Sequence, residues 1–209
     1  MKKLLLLIGL IIASCNAFSQ SSATFGIKGG VNFAQLYSTF ENTTGSAATG
    51  SLTTYSIGVF ADVKISDKVS IQPGFNYTGK GGNEKNGDSV IKAKLFYLQF
   101  PVNAVYHVEI DPGEIYFGAG PYLAYGLSAK VQVSDGKTSV SQNVGFGGGE
   151  TKYQSLDAGF NALAGIKLDN GLLFDIHYDF GLTNVSNISG VNTTNRVFGI
   201  SVGYVFNNK

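Results

Sequence analysis

The chain has no tryptophan, one cysteine, one methionine and four prolines in 209 residues, and only 14% of it is Asp, Glu, Lys or Arg. Each shortage excludes something. A soluble globular domain carries roughly 25% charged residues, so this composition is poorly suited to an ordinary water-facing enzyme surface. Disorder is excluded from the other side, because it needs low hydrophobicity and high net charge, whereas 44% of these residues are hydrophobic and the formal net charge is +1. A single cysteine rules out an internal disulfide framework. There is no polybasic footprint, so nucleic acid is not expected as a partner. No apolar run approaches the roughly 18 residues that cross a bilayer as a helix. What the chain does have is glycine, 28 residues, close to twice the usual share of about 7%, and aromatics, 15 Phe and 11 Tyr.

The first residues read as a leader. Lys2 and Lys3 precede the apolar run 4–12, and small and polar residues follow to Gln20. That is the layout of a secretory signal peptide, with cleavage expected between Ser19 and Gln20 after Ala17-Phe18-Ser19. The expected division is therefore a signal peptide over 1–19 and one domain over 20–209. A rival reading takes Ile12-Ala13-Ser14-Cys15 as a lipobox with Cys15 lipidated. Export without disulfides fits a bacterial envelope protein.

The rest of the chain alternates with period two. Phe25, Ile27, Gly29, Val31 and Phe33 interleave with Gly26, Lys28, Gly30, Asn32 and Ala34. The same pattern recurs in seven further segments, near 55–64, 69–78, 96–107, 115–126, 156–167, 174–181 and 198–206. This predicts eight strands of about ten residues. Short connections (66–68, 109–114 and the Asn170-Gly171 hairpin signal) alternate with long ones at 38–52, 80–94, 128–153 and 183–195. An even strand count with short turns at one end and long loops at the other describes an all-β, eight-stranded antiparallel up-and-down barrel. Pro73, Pro101 and Pro121 fall within strands, which counts mildly against those assignments.

Which face points outward decides between a soluble and a transmembrane barrel. Most aromatics share the bulky face, more than a narrow eight-stranded lumen holds, and the other face is rich in Gly, Ser, Ala and Asn. The strand charges Lys28, Asp62, Lys64, Asp157, Lys167, Asp175 and Asp179 all lie on the small face. On the bulky face a Lys or Arg at the bilayer midplane costs roughly 2–4 kcal/mol. Lys94 and Arg196 share the bulky parity but sit beyond the first aromatic at the long-loop end. The reading is a transmembrane barrel, closed so that its backbone amides are satisfied inside lipid.

The segments Gly-Ile-Lys-Gly-Gly-Val-Asn-Phe at 26–33, Gly-Ala-Gly-Pro-Tyr-Leu-Ala-Tyr at 118–125, Tyr-Asp-Phe-Gly-Leu-Thr-Asn at 178–184 and Gly-Ile-Ser-Val-Gly-Tyr-Val-Phe at 199–206 resemble the PorT-like, porin-family outer-membrane β-barrel proteins of Bacteroidota. The stretch Tyr-Leu-Gln-Phe-Pro at 97–101 is similar to a strand of that family. The resemblance spans about 24–206 and implies a bacterial outer membrane location with long loops extracellular and both termini periplasmic. It implies no reaction. It also implies insertion by the barrel-assembly machinery, read from a last strand ending in Tyr204 and Phe206, although Asn207, Asn208 and Lys209 trail that Phe.

Candidate chemistry is sparse. Asp175, His177 and Asp179 share one strand face, with Asp157 on a neighbour, so a carboxylate orienting an imidazole is conceivable. The better expectation is a structural polar network of Lys28, Asp62, Lys64, Gln99, Asn103, His107, Asp157, Asn161, Lys167, Asp175, His177 and Asp179 filling the lumen, because buried charges need partners. Gly145-Phe146-Gly147-Gly148-Gly149 lacks the ending of a phosphate loop and reads as a mobile loop tip. Glu84, Asp88, Asp135 and Glu150 are rim acids whose alternative to plain solvated loop charge, the default reading, is a divalent-ion site, and the Asn-x-Ser/Thr sites at Asn42, Asn184, Asn187 and Asn192 carry little weight in a bacterium. No catalytic residue, cofactor or metal is expected. The function expected is a non-enzymatic outer-membrane barrel with a plugged lumen. It presents four long loops to an extracellular or envelope protein partner, in contact with outer-membrane lipid. The alternatives are a small-solute channel, a membrane-embedded hydrolase using His177, and a soluble lipocalin-like ligand binder.

Overall fold

The computed structural model describes residues 23–41, 45–135, 138–149 and 152–206. The expected signal peptide with its Ser19–Gln20 cleavage point, Cys15, Asn42 and Glu150 lie outside them. Ten strands and no helix are present among the described residues: β1 (Ala23–Phe40), β2 (Ser46–Ala48), β3 (Leu52–Lys64), β4 (Val69–Asn86), β5 (Ser89–Ile110), β6 (Gly113–Ser134), β7 (Ser139–Asn143), β8 (Leu156–Leu168), β9 (Leu172–Gly181) and β10 (Val191–Phe206).

Eight of these form one antiparallel ring in sequence order, β1-β3-β4-β5-β6-β8-β9-β10, and β10 returns to β1. The closing seam pairs Phe25 with Phe206 and runs without a break to Phe40 opposite Val191. Closure removes the sheet edges that lipid does not tolerate. The two extra strands are short, β2 pairing with β1 and β7 with β6, both at the long-loop end.

The alternation predicts the faces residue by residue. Phe25, Ile27, Val31 and Phe33 of β1 are exposed, as are Tyr55, Ile57 and Val59 of β3 and Phe174, Ile176, Tyr178 and Phe180 of β9. Leu123 is 66% exposed and Ile57 62%. A belt of such side chains around the whole molecule far exceeds the few hundred Å2 of apolar patch that a water-soluble monomer shows, and it is stable only against lipid. The opposite face is closed in by small residues. At Gly120 an added Cβ would sit 1.8 Å from the Val102 carbonyl oxygen, so the wall packs against itself there.

Two expectations need correction. The connection at 80–94 is not a loop: β4 and β5 stay paired to Asn86–Ser89, joined by the two-residue turn Gly87-Asp88. Gly87 adopts φ +58° at the first turn position, as a type II′ hairpin turn requires. The 128–153 connection likewise carries β6 on to Ser134 and returns as β7. Above the belt a strand has no apolar face to advertise, yet its ladder continues, so period-two patterning understates strand length. The prolines are accommodated by gaps: between the pairs Pro101–Tyr122 and Ala104–Ala119 the β5–β6 ladder is interrupted.

Candidate functional site in the lumen and at the rim

The inward residues stack in layers along the barrel. At the short-turn end His107 Nδ1 lies 2.9 Å from Glu114 Oε1, which also takes the Lys167 Nζ at 2.9 Å. The other imidazole nitrogen meets Ser70 Oγ at 2.8 Å and stands 3.7 Å from Asp62 Oδ2. Next, Lys28 Nζ donates to Asp175 Oδ2 at 2.9 Å. His177 Nδ1 is 3.8 Å from Asp175 Oδ1 and makes no hydrogen bond.

The centre is built on Asp179. Gln99 Nε2 donates to it at 2.9 Å and Asn161 Nδ2 at 2.6 Å, and Asn103 Nδ2 donates in turn to Asn161 Oδ1 at 3.0 Å. The carboxylate orients the Gln99 and Asn161 amides with NH2 toward the charge, and Asn103 follows by donating to Asn161, which leaves the oxygens of Gln99 and Asn103 without a protein donor. A cavity of about 30 Å3 opens beside them, lined also by Lys28, Gln72, Asn76 and His177. That is room for one or two waters.

One level higher lies the most buried charge pair, Lys80 Nζ to Asp157 Oδ2 at 2.9 Å, both side chains fully inaccessible. Asp179 stands 3.8 Å from the same ammonium, and the Tyr122 ring faces it with its centroid at 4.1 Å. Asn195 Nδ2 and Thr183 Oγ1 donate to Asp157 as well, at 3.0 and 3.2 Å. A buried pair repays its desolvation only when such extra bonds complete it.

Over this pair sits an apolar cap of Leu36, Ala93, Leu95, Tyr97, Ala124, Ala129 and Val185, against which Val144, Phe146 and Tyr153 pack. The Phe146 ring meets Tyr97 edge-on at 5.2 Å. Burial pushes the Tyr153 phenol above its ordinary pKa. The glycine-rich segment at 145–149 is thus not the free loop tip expected from its composition. Its phenylalanine is folded inward over the barrel mouth, and Gly126 leaves the space: a Cβ there would lie 2.5 Å from that ring.

Of the residues expected in the lumen, Lys28, Asp62, Gln99, Asn103, His107, Asp157, Asn161, Lys167, Asp175, His177 and Asp179 are placed inside. Lys64 is not. It is the last residue of β3 and exposed, beyond the level where the wall encloses it. Sequence reasoning missed Lys80, Asn32, Tyr97, Glu114, Tyr122 and Asn195. Lys80 continues the inward row Ser70, Gln72, Gly74, Asn76, Thr78 by one more step, and that was its signal. Asp175, His177 and Asp179 share a face as expected but form no relay, since Asp179 is bound by amides and Asp175 by Lys28. Among the described residues no cluster of His, Cys, Asp and Glu is placed to hold a metal ion, and Glu84, Asp88 and Asp135 do not converge into one.

The β4–β7 strands project beyond the ring. Their inner row continues the cap upward through Ala93 and Val131 to Ile91, Val133 and Val140, which are exposed.

The family model described as outer membrane protein beta-barrel domain matches residues 18–187. Among solved structures, Neisserial surface protein A is similar at 17% identity, covering 88% of this chain and 99% of its own, with a TM-score of 0.47. Ail, the attachment invasion locus protein of Yersinia pestis, is similar at 12% identity over 88% of this chain and 99% of its own, with a TM-score of 0.44. The N-terminal β-barrel domain of Pseudomonas aeruginosa OprF is similar at 12% identity over 90% and 100%, with a TM-score of 0.39. No curated protein matches the chain significantly.

Proposed function

The chain belongs to the outer membrane protein beta-barrel domain family, and from that premise we propose that it is a non-enzymatic barrel of the bacterial outer membrane, closed to solutes, that presents its long-loop end outside the cell for binding or envelope assembly. Its termini then lie on the periplasmic side, and its last strand is the one the barrel-assembly machinery receives. The observation that carries this reading is the continuity of the internal packing. From Glu114 to Phe146 each level of the lumen is occupied by packed side chains, and the cavities of about 30 and 10 Å3 between them are no larger than one or two waters. An eight-stranded barrel leaves an interior that side chains fill. A hydrolase based on His177 is disfavoured because among the described residues no hydroxyl is hydrogen-bonded to it, and its side chain is enclosed by the barrel wall. The projecting sheet, with Ile91, Val133 and Val140 exposed on its inner face, is where a protein partner has apolar surface to engage.

Planar bilayers with purified protein test closure: the expected record shows no stable unitary conductance in molar salt. A reproducible open channel would overturn the closed reading and favour the small-solute pore.

A further inference from the structure

The outer face of the projection carries a different chemistry from its inner face. In register, Lys85 stands opposite Val90, Asn83 opposite Lys92, and Gly81 opposite Lys94. Lys94 in turn stands directly opposite Lys130, and Lys92 opposite Gln132. Parity with the outward Phe96 and Leu98 puts Lys85, Lys92, Lys94 and Lys130 on the outside. None of the four makes an ion pair among the described residues. The acids of this projection are elsewhere: Glu84 is in the inner row opposite Ile91, Asp88 is in the turn, and Asp135 accepts the Thr138 N–H across its own turn. Like charges directly opposed on a sheet are destabilising unless something neutralises them.

Their height is set by the outward row below. From Tyr106 to Phe96 the outward residues of β5 climb ten steps, about 25 Å at ~3.3 Å per residue and ~40° of tilt, the height of a barrel's apolar band. Phe96 stacks on Tyr77 at 5.1 Å and faces Tyr55 at 5.3 Å, the aromatic edge of that band. Lys94 is the next outward residue, about 5 Å higher, and Lys92 the one after it. Lysines there are level with headgroups, not with acyl chains or bulk water, and they continue the lipid-facing surface without a step.

We propose that Lys92, Lys94 and Lys130, flanked by Lys85, seat the phosphate groups of an anionic glycolipid of the outer leaflet. This rests on the reading that the long-loop end faces outward. Several lysines at a headgroup surface add up because each contributes separately to attraction, and Gln132 and Asn143 lie beside them as neutral donors.

The test uses the full barrel in phosphatidylcholine nanodiscs with or without lipid A, read by native mass spectrometry of retained lipid and by titration. Wild type is expected to retain lipid A in preference to phosphatidylcholine. The triple variant Lys92→Gln, Lys94→Gln, Lys130→Gln should bind it about 100-fold more weakly, while Lys64→Gln with Lys68→Gln at the other end should leave binding unchanged. Heat-dependent gel mobility confirms that each variant is folded. Equal retention by the triple variant, equal loss in the control, or full displacement by millimolar inorganic phosphate would overturn the proposal. Labelling of Ser139→Cys by an impermeant maleimide on intact cells, with Ser66→Cys protected, supports the outward orientation. The reverse pattern would sink that orientation and the leaflet with it, and it would do so independently of the binding result.

Discussion

At the residue scale, position along the strand matters as much as face. Lys64 and Lys80 have the same inward parity, yet one is exposed at a strand end and the other is sealed between Asp157, Asp179 and Tyr122. The sealed pair makes a quantitative prediction. Asp157→Asn leaves the ammonium with Asp179 at 3.8 Å as its one nearby carboxylate and should destabilise the barrel by about 3 kcal/mol in urea unfolding, within the range for breaking a buried pair. Lys80→Met should cost a similar amount, because it strands Asp157 and Asp179 side by side. The double variant should cost clearly less than the sum, with a coupling above about 1 kcal/mol. Additive losses would mean that the two side chains do not act as a pair. Gly120 gives a steric counterpart: Gly120→Ala puts its Cβ into the Val102 carbonyl, and backbone does not yield as a side-chain tip does. A loss of about 1–3 kcal/mol is expected, and an unchanged unfolding midpoint would contradict it.

At the element scale, the eight ring strands were legible because lipid on one side and a narrow lumen on the other impose opposite demands on successive residues. Phe25 and Gly26, or Tyr178 and Asp179, announce their faces without any knowledge of partners. Legibility stopped where lipid stopped. The 80–94 stretch reads as a loop because Gly81, Gly82, Asn83 and Glu84 lack an apolar row, although Gly87-Asp88 between extended segments is itself a hairpin signal. The polar network was legible as a set, not as bonds, since parity names the face but not which strand, at which height, supplies the partner. Glu114 escaped notice because it opens β6 next to a turn, yet it holds both His107 and Lys167. The β4–β5 projection should be energetically separable from the ring. Gly87→Val forces a β-branched side chain into φ +58°, a strained conformation. Amide exchange should therefore rise by roughly an order of magnitude around 83–92 while the unfolding temperature of the barrel stays put. A fall in that temperature would tie the hairpin to the ring's own stability.

At the scale of the whole molecule, the interior is sealed more than once, and the seals are made by different parts of the chain. The mouth is closed by residues from the connections, Val144, Phe146, Tyr153 and Val185, resting on Tyr97 and Leu95. The centre is closed by side chains of the wall itself, where Lys28 and Lys80 face Asp157, Asp175 and Asp179. Only the first seal depends on a loop, and the β6–β8 ladder from Gly113–Leu168 to Tyr125–Leu156 does not. Replacing residues 145–152 with a short Gly-Ser linker should therefore leave a barrel that still shifts on heating in gels. It should lose about 2–4 kcal/mol of stability, from uncovering apolar surface of the order of one or two large side chains. In planar bilayers the shortened protein should conduct no better than the full chain, because an ion that passed Tyr97 would meet the fully buried Lys80–Asp157 pair, which Asn195, Thr183 and Asp179 hold in place. If shortening the loop instead opened a steady conductance, the wall's own side chains would be a permeable filling and the folded loop the true gate. The barrel would then be a channel closed by a connection at its long-loop end.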